Sequence, residues 1–297
     1  MADTNMSTIG KPPDNWLKVR RRLQRREARA RFSKPVLITI VVAIVVIGGG
    51  TAISLLLTSQ PISSRYCLKS FVPAYFSTGT WAQTTSAKPV PSVMILNPST
   101  GIGAGTAPNP GFQEAARRAR SAGTAVLGYV TTADGQRPIA QIEADVRNYK
   151  AWYGVNGIFL DVVNGTSSAL PYYRELDDYI HGVIPKSSVW LNPGVYPEQA
   201  YMSAGDVLMV FEGTYDQYRD VQVPGWTRNY PATRFANTIY DATSSSQANT
   251  AIGLAKSRNA GYVFVTNLSQ PNPYDALPSY WSSEHTAVTA ACRASDR

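Results

Sequence analysis

Two carboxylates are the side chains of this chain best placed to do chemistry. An apolar run, GIFL, ends in Asp161, and a second run, VLMVF, ends in Glu212. An unpaired buried carboxylate is costly, so a strand that ends in one usually delivers it to a polar cleft or to a partner. Two such groups fit the acid/base pair that cleaves a glycosidic bond. The alternative is structural, with both carboxylates accepting hydrogen bonds from loop amides or from an arginine.

Further polar side chains follow apolar runs in the same way, and together they are typical of a sugar-binding lining. The predicted substrate-binding residues are Tyr75, Asn97, Tyr129, Asn192, Tyr215, Tyr240, Asp241 and Asn267. Aromatic side chains in or near predicted loops could also stack on sugar rings, although about half of them are expected to be ordinary packing. These aromatic residues are Trp81, Tyr215, Tyr218, Trp226, Tyr274 and Trp281.

The sequence predicts neither a metal site nor a cofactor. Its two histidines, His181 and His285, are expected at the surface, and no CxxC spacing occurs. The glycine-rich piece from Gly101 to Gly105 follows a strand but lacks the GxGxxG spacing, and the prolines after it delay the next helix. We therefore expect a loop of a barrel mouth there, not a dinucleotide site.

Short apolar runs alternate with amphipathic stretches along residues 67–297, which is typical of parallel strands joined by helices. Eight such strands fit a (β/α)8 barrel better than the alternative, an open α/β sheet. The predicted strands are Phe71–Phe76, Val93–Pro98, Ala125–Val130, Gly157–Val163, Ser188–Gly194, Asp206–Gly213, Phe235–Ala242 and Tyr262–Asn267. The predicted helices are Gly111–Ala122, Ile139–Tyr153, Leu170–Val183 and Gln247–Ala260; the gaps after strands one, five and six are less clearly helical.

The sequence of the N-terminal part predicts a membrane anchor. Residues 36–57 run without a charge and are long enough to cross the hydrocarbon core of a bilayer. The basic tail, residues 1–35, is expected to stay in the cytoplasm, so that the linker 58–66 and the domain 67–297 lie outside. A cleaved signal peptide is the alternative, but the apolar run is too long and no clean cleavage site follows it.

The charge distribution argues against nucleic acid as a partner. The net charge is +8, but residues 1–35 hold ten Lys and Arg against three acids. The tail therefore carries seven of these charges, and the rest of the chain carries only one. The basic pI therefore reflects the cytoplasmic tail and not a surface that binds phosphate groups. The tail is suited to contact with anionic lipid headgroups.

The two cysteines, Cys67 and Cys292, lie near the two ends of the exported domain. Outside the cytoplasm such a pair can form a lasting disulfide, and we expect one that joins the start of the domain to its end. Two buried thiols are the alternative.

Several segments, taken in order, resemble spherulation-specific family 4, whose members include secreted glycoside hydrolases that act on galactosamine-containing exopolysaccharide. The resemblance covers about residues 70 to 282. The segments are VPAYF (72–76), ILNPSTGIG (95–103), VLGYVTT (126–132), YKAWYGVNGIFLD (149–161), LNPG (191–194), VFEGTYDQY (210–218), GYVFVTN (261–267) and YDALPSYW (274–281).

This resemblance implies a (β/α)8 barrel whose catalytic mouth holds an Asp-Glu pair after strand four and a Glu after strand six. Asp161 and Glu212 match the first and the last of these acids, but Val162 stands in the place of the pair's Glu. Strand seven, where the family often has His, ends in Tyr240 and Asp241. Alternation along a strand predicts that Val162 faces the helices, unless the strand breaks there.

The sequence thus predicts a membrane-anchored glycoside hydrolase that acts on an amino-sugar polysaccharide at the outer cell surface. Asp161 and Glu212 are its predicted catalytic pair. The alternative is a non-catalytic domain that binds polysaccharide or serves an envelope assembly with an unidentified protein partner, because valine cannot transfer a proton.

Overall fold

The computed structural model describes residues 67–99 and 101–293, with side chains up to residue 289. The predicted anchor, the basic tail, the linker and the side chain of Cys292 lie outside the described residues. Anchoring and the Cys67–Cys292 disulfide therefore stay predictions. No helix within the described ranges is long and apolar enough to cross a membrane.

Eight parallel strands form a closed barrel in sequence order, with β1 paired to β8. This closure confirms the (β/α)8 barrel and excludes the open sheet. Most of the predicted strands run past the observed ends on the carboxyl side, because the polar residues there leave the ladder. The strands are β1 Lys69–Ala74, β2 Val93–Leu96, β3 Ala125–Thr131, β4 Gly157–Asp161, β5 Ser188–Leu191, β6 Val207–Thr214, β7 Phe235–Tyr240 and β8 Tyr262–Val265.

Helices cover most of the connections between strands. They are α1 Thr78–Ser86, α2 Pro110–Ser121, α3 Ile139–Asn148, α4 Leu170–Val183, α5 Tyr215–Arg219, α6 Ser245–Ser257 and α7 Trp281–Arg293. The sequence did not predict α1, α5 or α7. The connection after β5 holds only a 3-10 turn, Gln199–Ser203, and the predicted helix 139–153 changes at Tyr149 into one π turn.

The residues that predicted the helices make the expected contacts at the start of α2 and along α3. Asn109 accepts hydrogen bonds from the backbone N–H groups of Gly111 and Phe112, and Pro110 occupies the first turn of α2. On α3 and its π turn, Ile142, Val146 and Tyr149 are fully buried, as the predicted stripe requires.

Tyr149 needs a glycine opposite it. A Cβ at Gly128 of β3 would lie only 2.5 Å from the Tyr149 ring. The ring therefore packs directly on the strand, and its hydroxyl donates to the carbonyls of Leu96 (3.2 Å) and Tyr129 (2.8 Å). This contact fixes the carboxyl ends of β2 and β3, where polar side chains of the mouth begin.

The last helix, α7, buries two groups that titrate. His285, which the sequence placed at the surface, is only 3% exposed, stacks on Trp281 and hydrogen-bonds Ser70 and the Pro89 carbonyl. The prediction was wrong because α7 covers β1, and burial lowers the pKa of His285. Glu284 accepts a hydrogen bond from the backbone N–H of Val265, and burial raises the pKa of Glu284 to about 8.

We expect Glu284 to make the barrel less stable as the pH rises. The folded state keeps this proton up to about pH 8, whereas the unfolded chain releases it near 4.5, so stability falls between those values. In Glu284→Gln, which titrates nowhere, the free energy of unfolding at pH 8.5 should exceed that of the wild type by on the order of 2 to 4 kcal/mol. Urea unfolding at pH 4.5 and 8.5 measures this.

The control is Glu175→Gln on the exposed face of α4. It should leave the pH dependence of wild type unchanged. An equal effect of Glu284→Gln at both pH values would contradict the titration of Glu284.

Candidate active site

Asp161 ends β4 and points into the barrel mouth. The residue is 9% exposed, and both of its carboxylate oxygens have donors. The Tyr129 hydroxyl donates to Oδ2 at 2.7 Å, and the Asn192 side-chain amide donates to Oδ1 at 2.7 Å. These donors come from β3 and from the residue after β5, the two neighbours of β4 in the barrel.

Glu212 reaches the same place because β6 carries a bulge. The register with β7 shifts between Met209 and Phe211, so Met209 pairs with Ala236 whereas Glu212 pairs with Thr238. Met209 contacts Thr238 inside the barrel, and Phe211 packs outside it on Tyr218. Simple alternation would put Met209 and Phe211 on one face and turn Glu212 towards the helices. The extra residue reverses this and directs Glu212 into the mouth.

The Asn192 amide joins the two carboxylates. Its Nδ2 donates to Asp161 Oδ1 and to Glu212 Oε2, both at 2.7 Å. These two oxygens are therefore no more than twice that distance, about 5.4 Å, apart. The Tyr274 hydroxyl donates to the other Glu212 oxygen, Oε1, at 2.7 Å. Two phenols and one amide are thus among the donors to the pair.

Three tyrosines form one wall beside the acid pair. Tyr75, which is half-buried, meets Tyr129 edge-on with ring centroids 5.5 Å apart, and it meets Tyr274 in the same way at 5.8 Å. Tyr274 comes from the long connection between β8 and α7. The sequence offered Tyr274 only as an aromatic ring for stacking; its role as a donor to Glu212 depends on a loop path that no local pattern shows.

Val162 does not simply face the helices. The strand ends at Asp161, and Val162 adopts a left-handed backbone conformation with φ +55° and a half-exposed side chain. This conformation is rare for a β-branched residue. The Val162 carbonyl accepts hydrogen bonds from the Thr132 hydroxyl (2.7 Å) and from the Asp134 N–H (2.8 Å), which hold the turn in place.

Two of the predicted amides support loops of the mouth. Asn97 Oδ1 accepts from the N–H of Gly101 at 3.2 Å and so folds the glycine-rich loop back on itself. Asn267 Oδ1 accepts from the N–H of Ser279 at 2.7 Å and ties the β8–α7 connection to the end of β8.

The three remaining predicted residues lie on β7 and α5. Tyr240 is 2% exposed and pairs with Thr214 in the sheet, and Asp241 follows it with φ +58°. Tyr215 begins α5 and packs in the outer cluster with Phe211, not beside the acid pair.

Most of the aromatic side chains that the sequence offered for stacking are packing residues. Trp81 is buried in α1 and its indole donates to the Ala74 carbonyl at 3.1 Å. Tyr218 lies under the Arg258 guanidinium, and Trp226 packs edge-on against Tyr196. Within the described ranges, no group of three or more His, Cys, Asp and Glu side chains could hold a metal ion.

The protein is a (β/α)8 barrel with carboxylates, an amide and tyrosines gathered at the carboxyl ends of its strands. Barrels of this class carry their functional sites at these ends. The model of spherulation-specific family 4 matches residues 70–288, and the chain belongs to this family.

Known proteins are similar to this chain in sequence or in fold. Spherulin-4 of Physarum polycephalum is 27% identical over 246 residues, which are 78% of this chain and 72% of that protein. The crystal structure of Aspergillus clavatus Sph3 in complex with GalNAc superposes with a TM-score of 0.65 at 26% identity and covers 75% of this chain and 98% of Sph3. The maltogenic α-amylase AmyB of Thermotoga neapolitana, at 9% identity and a TM-score of 0.51, shares the fold alone over 78% of each chain.

We expect Asn192→Asp to be destabilising in a pH-dependent way. A third carboxylate between Asp161 and Glu212 would repel both, so the folded state would retain a proton that the unfolded chain releases, and stability would fall as the pH rises. The loss should be on the order of 3 kcal/mol at pH 8 and smaller at pH 4.5. Urea unfolding at the two pH values measures it.

Asn97→Asp is the matched control, because Asn97 accepts one backbone N–H that an aspartate would also accept. Its effect should be small at both pH values. If Asn192→Asp were as mild as Asn97→Asp, the shared amide would not be what holds the two carboxylates together.

Proposed function

We propose that the barrel is a glycoside hydrolase domain that acts on an amino-sugar-containing polysaccharide of the galactosamine type. The observation that carries this proposal is the acid pair Asp161 and Glu212, brought together at the mouth by the Asn192 amide. Two carboxylates are the groups that hydrolysis of a glycosidic bond needs.

The spacing of the pair suits hydrolysis of a glycosidic bond. The two oxygens that the Asn192 amide bridges are at most about 5.4 Å apart. The carboxyl groups of glycosidases are about 5 to 5.5 Å apart in retaining enzymes and roughly 6.5 to 9.5 Å apart in inverting enzymes. Because the limit of 5.4 Å applies to the bridged oxygens alone, the spacing is compatible with either geometry.

The neighbouring donors would hold both carboxylates in orientation during this reaction. Tyr129 and Asn192 fix the two oxygens of Asp161, and Tyr274 and Asn192 fix those of Glu212. Catalytic groups gain from such positioning because it spares the reorganisation of the site during reaction. Tyr75, half-exposed beside them, supplies a ring face or edge for a sugar.

The proposed substrate class follows from the family and from a relative. Sph3, which is 26% identical to this chain, was crystallised in complex with GalNAc. An amino sugar bound by that relative supports an amino-sugar polymer as the substrate of this site.

We further propose that the domain works outside the cell, held to the membrane by residues 36–57. The support is the sequence alone: an uncharged apolar segment of sufficient length with ten basic residues before it.

A second function, binding of polysaccharide without hydrolysis, has its own support. Val162 occupies the position where the family resemblance implies a second acid, and its apolar side chain is half-exposed at the mouth. If that acid is required, the site keeps its sugar lining and loses fast turnover.

We expect Glu212→Gln to lower the release of reducing ends from a galactosamine-containing polysaccharide by at least about 10² to 10⁴-fold, because the amide keeps the shape but cannot exchange a proton or carry negative charge. Binding of the polysaccharide should survive. Glu175→Gln on α4 is the control for the same chemical change away from the mouth, and it should retain full activity. An unchanged rate in Glu212→Gln would remove Glu212 from the mechanism.

Val162→Glu separates the two functions. If the wild type hydrolyses the polymer at an ordinary enzyme rate and Val162→Glu adds nothing, Asp161 and Glu212 suffice and the hydrolase stands. A large gain from a baseline near zero would mark the natural protein as a binding domain. No turnover in either form, with intact binding, would refute the hydrolase.

The proposed orientation, with the N-terminal tail in the cytoplasm and the barrel outside, can be tested by proteolysis of intact spheroplasts. Protease added outside should degrade the chain from Cys67 onward and spare the tail, as detected with antibodies against each part. Permeabilised spheroplasts are the control in which the tail is also exposed. Protection of the barrel in intact spheroplasts would overturn the orientation.

A further inference from the structure

The end of the barrel opposite the mouth carries a marked excess of positive charge. We call this end the amino face; it consists of the connections that lead into the eight strands and of the first residue of each strand. Its residues are 67–69, 87–93, 122–125, 149–157, 184–188, 204–207, 220–235 and 258–262. They include seven basic residues, Lys69, Lys88, Lys150, Lys186, Arg228, Arg234 and Arg258, but only two acids, Asp206 and Asp220. The chain after residue 35 has a net charge of only +1, so the excess is local to this face.

The basic side chains of the amino face keep their charge in the folded barrel. Lys150 donates to the Val183 carbonyl at 2.6 Å, and Arg234 donates to the Gly205 carbonyl at 2.6 Å. These carbonyls are neutral, so they orient the cations without cancelling their charge. Among the described residues, none of the seven forms an ion pair with a carboxylate.

The exposed cations are spread over the whole amino face. Five of the seven side chains are exposed, namely Lys69, Lys88, Lys150, Lys186 and Arg228. They lie at the starts of β1, β2, β4, β5 and β7, on different sides of the barrel. Cations distributed in this way create a broad positive potential. Such a potential suits an extended anionic surface better than one small anion.

The chain enters the barrel at this same face. Because all eight strands are parallel and β1 begins at Lys69, the linker 58–66 leads directly to the amino face. The nine residues of the linker span at most about 30 Å when fully extended. A bilayer that holds residues 36–57 would therefore lie within that distance of the amino face.

Building on the membrane anchor proposed above, we infer that the amino face docks on the anionic lipid headgroups of the bilayer. Headgroup phosphates attract lysine and arginine side chains near the surface, and the attraction falls off within a Debye length, about 8 Å at physiological salt. The linker makes this contact intramolecular, so that a weak attraction suffices. The mouth lies at the other ends of the same strands, so the docked barrel directs Asp161 and Glu212 away from the lipid.

Two fluorescent probes report which end of the barrel lies near the lipid. Ser121→Cys carries one at the end of α2, on the side of the amino face, and Ser282→Cys carries one at the start of α7, on the side of the mouth; both serines are exposed. The full chain is reconstituted into vesicles whose lipids carry a headgroup quencher. The unsubstituted chain, labelled in the same way, gives the background from Cys67 and Cys292.

The quenching should depend on the charge of the lipid. In vesicles of phosphatidylcholine with about one third phosphatidylglycerol, at about 50 mM salt, quenching at position 121 should exceed that at position 282 severalfold. In vesicles of phosphatidylcholine alone, or at about 500 mM salt, the difference should shrink to what the linker by itself imposes, because the attraction is absent or screened.

Charge variants locate the effect on the amino face. Lys186→Glu should lower the additional quenching at position 121 severalfold, and Lys186→Gln should lower it less. Arg174→Glu is the matched control, because it makes the same change in net charge at an exposed residue of α4 outside the amino face. It should leave the quenching unchanged, and thermal unfolding of the variants verifies that each remains folded.

An equal difference between the probes in neutral and anionic vesicles, or equal effects of Lys186→Glu and Arg174→Glu, would overturn the inference. If polyphosphate changed the fluorescence at position 121 while lipid charge did not, the face would bind a soluble anionic polymer instead of the bilayer. Release of the chain from the vesicles by alkaline carbonate would contradict the anchor. Quenching at position 121 that still depended on lipid charge would in that case support the docking face without the anchor.

Discussion

The mouth of this barrel depends on one shared side chain, the Asn192 amide. Two carboxylates about 5 Å apart repel each other, and more strongly where water is partly excluded. An amide nitrogen has two hydrogens, and here Asp161 takes one and Glu212 the other. The arrangement needs β5 between β4 and β6, which closure of the sheet in sequence order provides. A lysine in this place would add a positive charge between the acids, whereas the neutral amide orients both of them without adding one.

The second constraint is the bulge of β6. Without the extra residue between Met209 and Phe211, the pleat would point Phe211 into the mouth and Glu212 into the helix layer, where Tyr218 now receives Phe211. The bulge therefore meets two needs at once, since it gives an aromatic ring to the outer core and a carboxylate to the site. A bulge beside a site is a common way to redirect one side chain without moving the strand.

The sequence predicted the barrel and the acid pair because both leave local marks: apolar runs of strand length, and a charge at the end of each of two runs. Other features leave no local mark. The burial of His285 depends on α7 covering β1, and the bond from Tyr274 to Glu212 depends on the path of a long loop. The extra residue of the β6 bulge is apolar like its neighbours, so the sequence does not distinguish it from the rest of the strand. The predicted lining divides accordingly: Tyr129 and Asn192 reach the pair, whereas Asn97 and Asn267 support loops.

At Val162 the backbone and the side chain have different roles. A β-branched residue in the left-handed region costs about 1 to 3 kcal/mol and persists only where the surroundings over-determine the backbone. Here Thr132 and Asp134 hold the Val162 carbonyl, and the next N–H donates to the Asn192 carbonyl. The turn is thus fixed whatever side chain it carries, and through Asn192 it is continuous with the acid pair. The strain accordingly serves the placement of Asp161 and Asn192, while the valine side chain adds no proton-transferring group to the mouth.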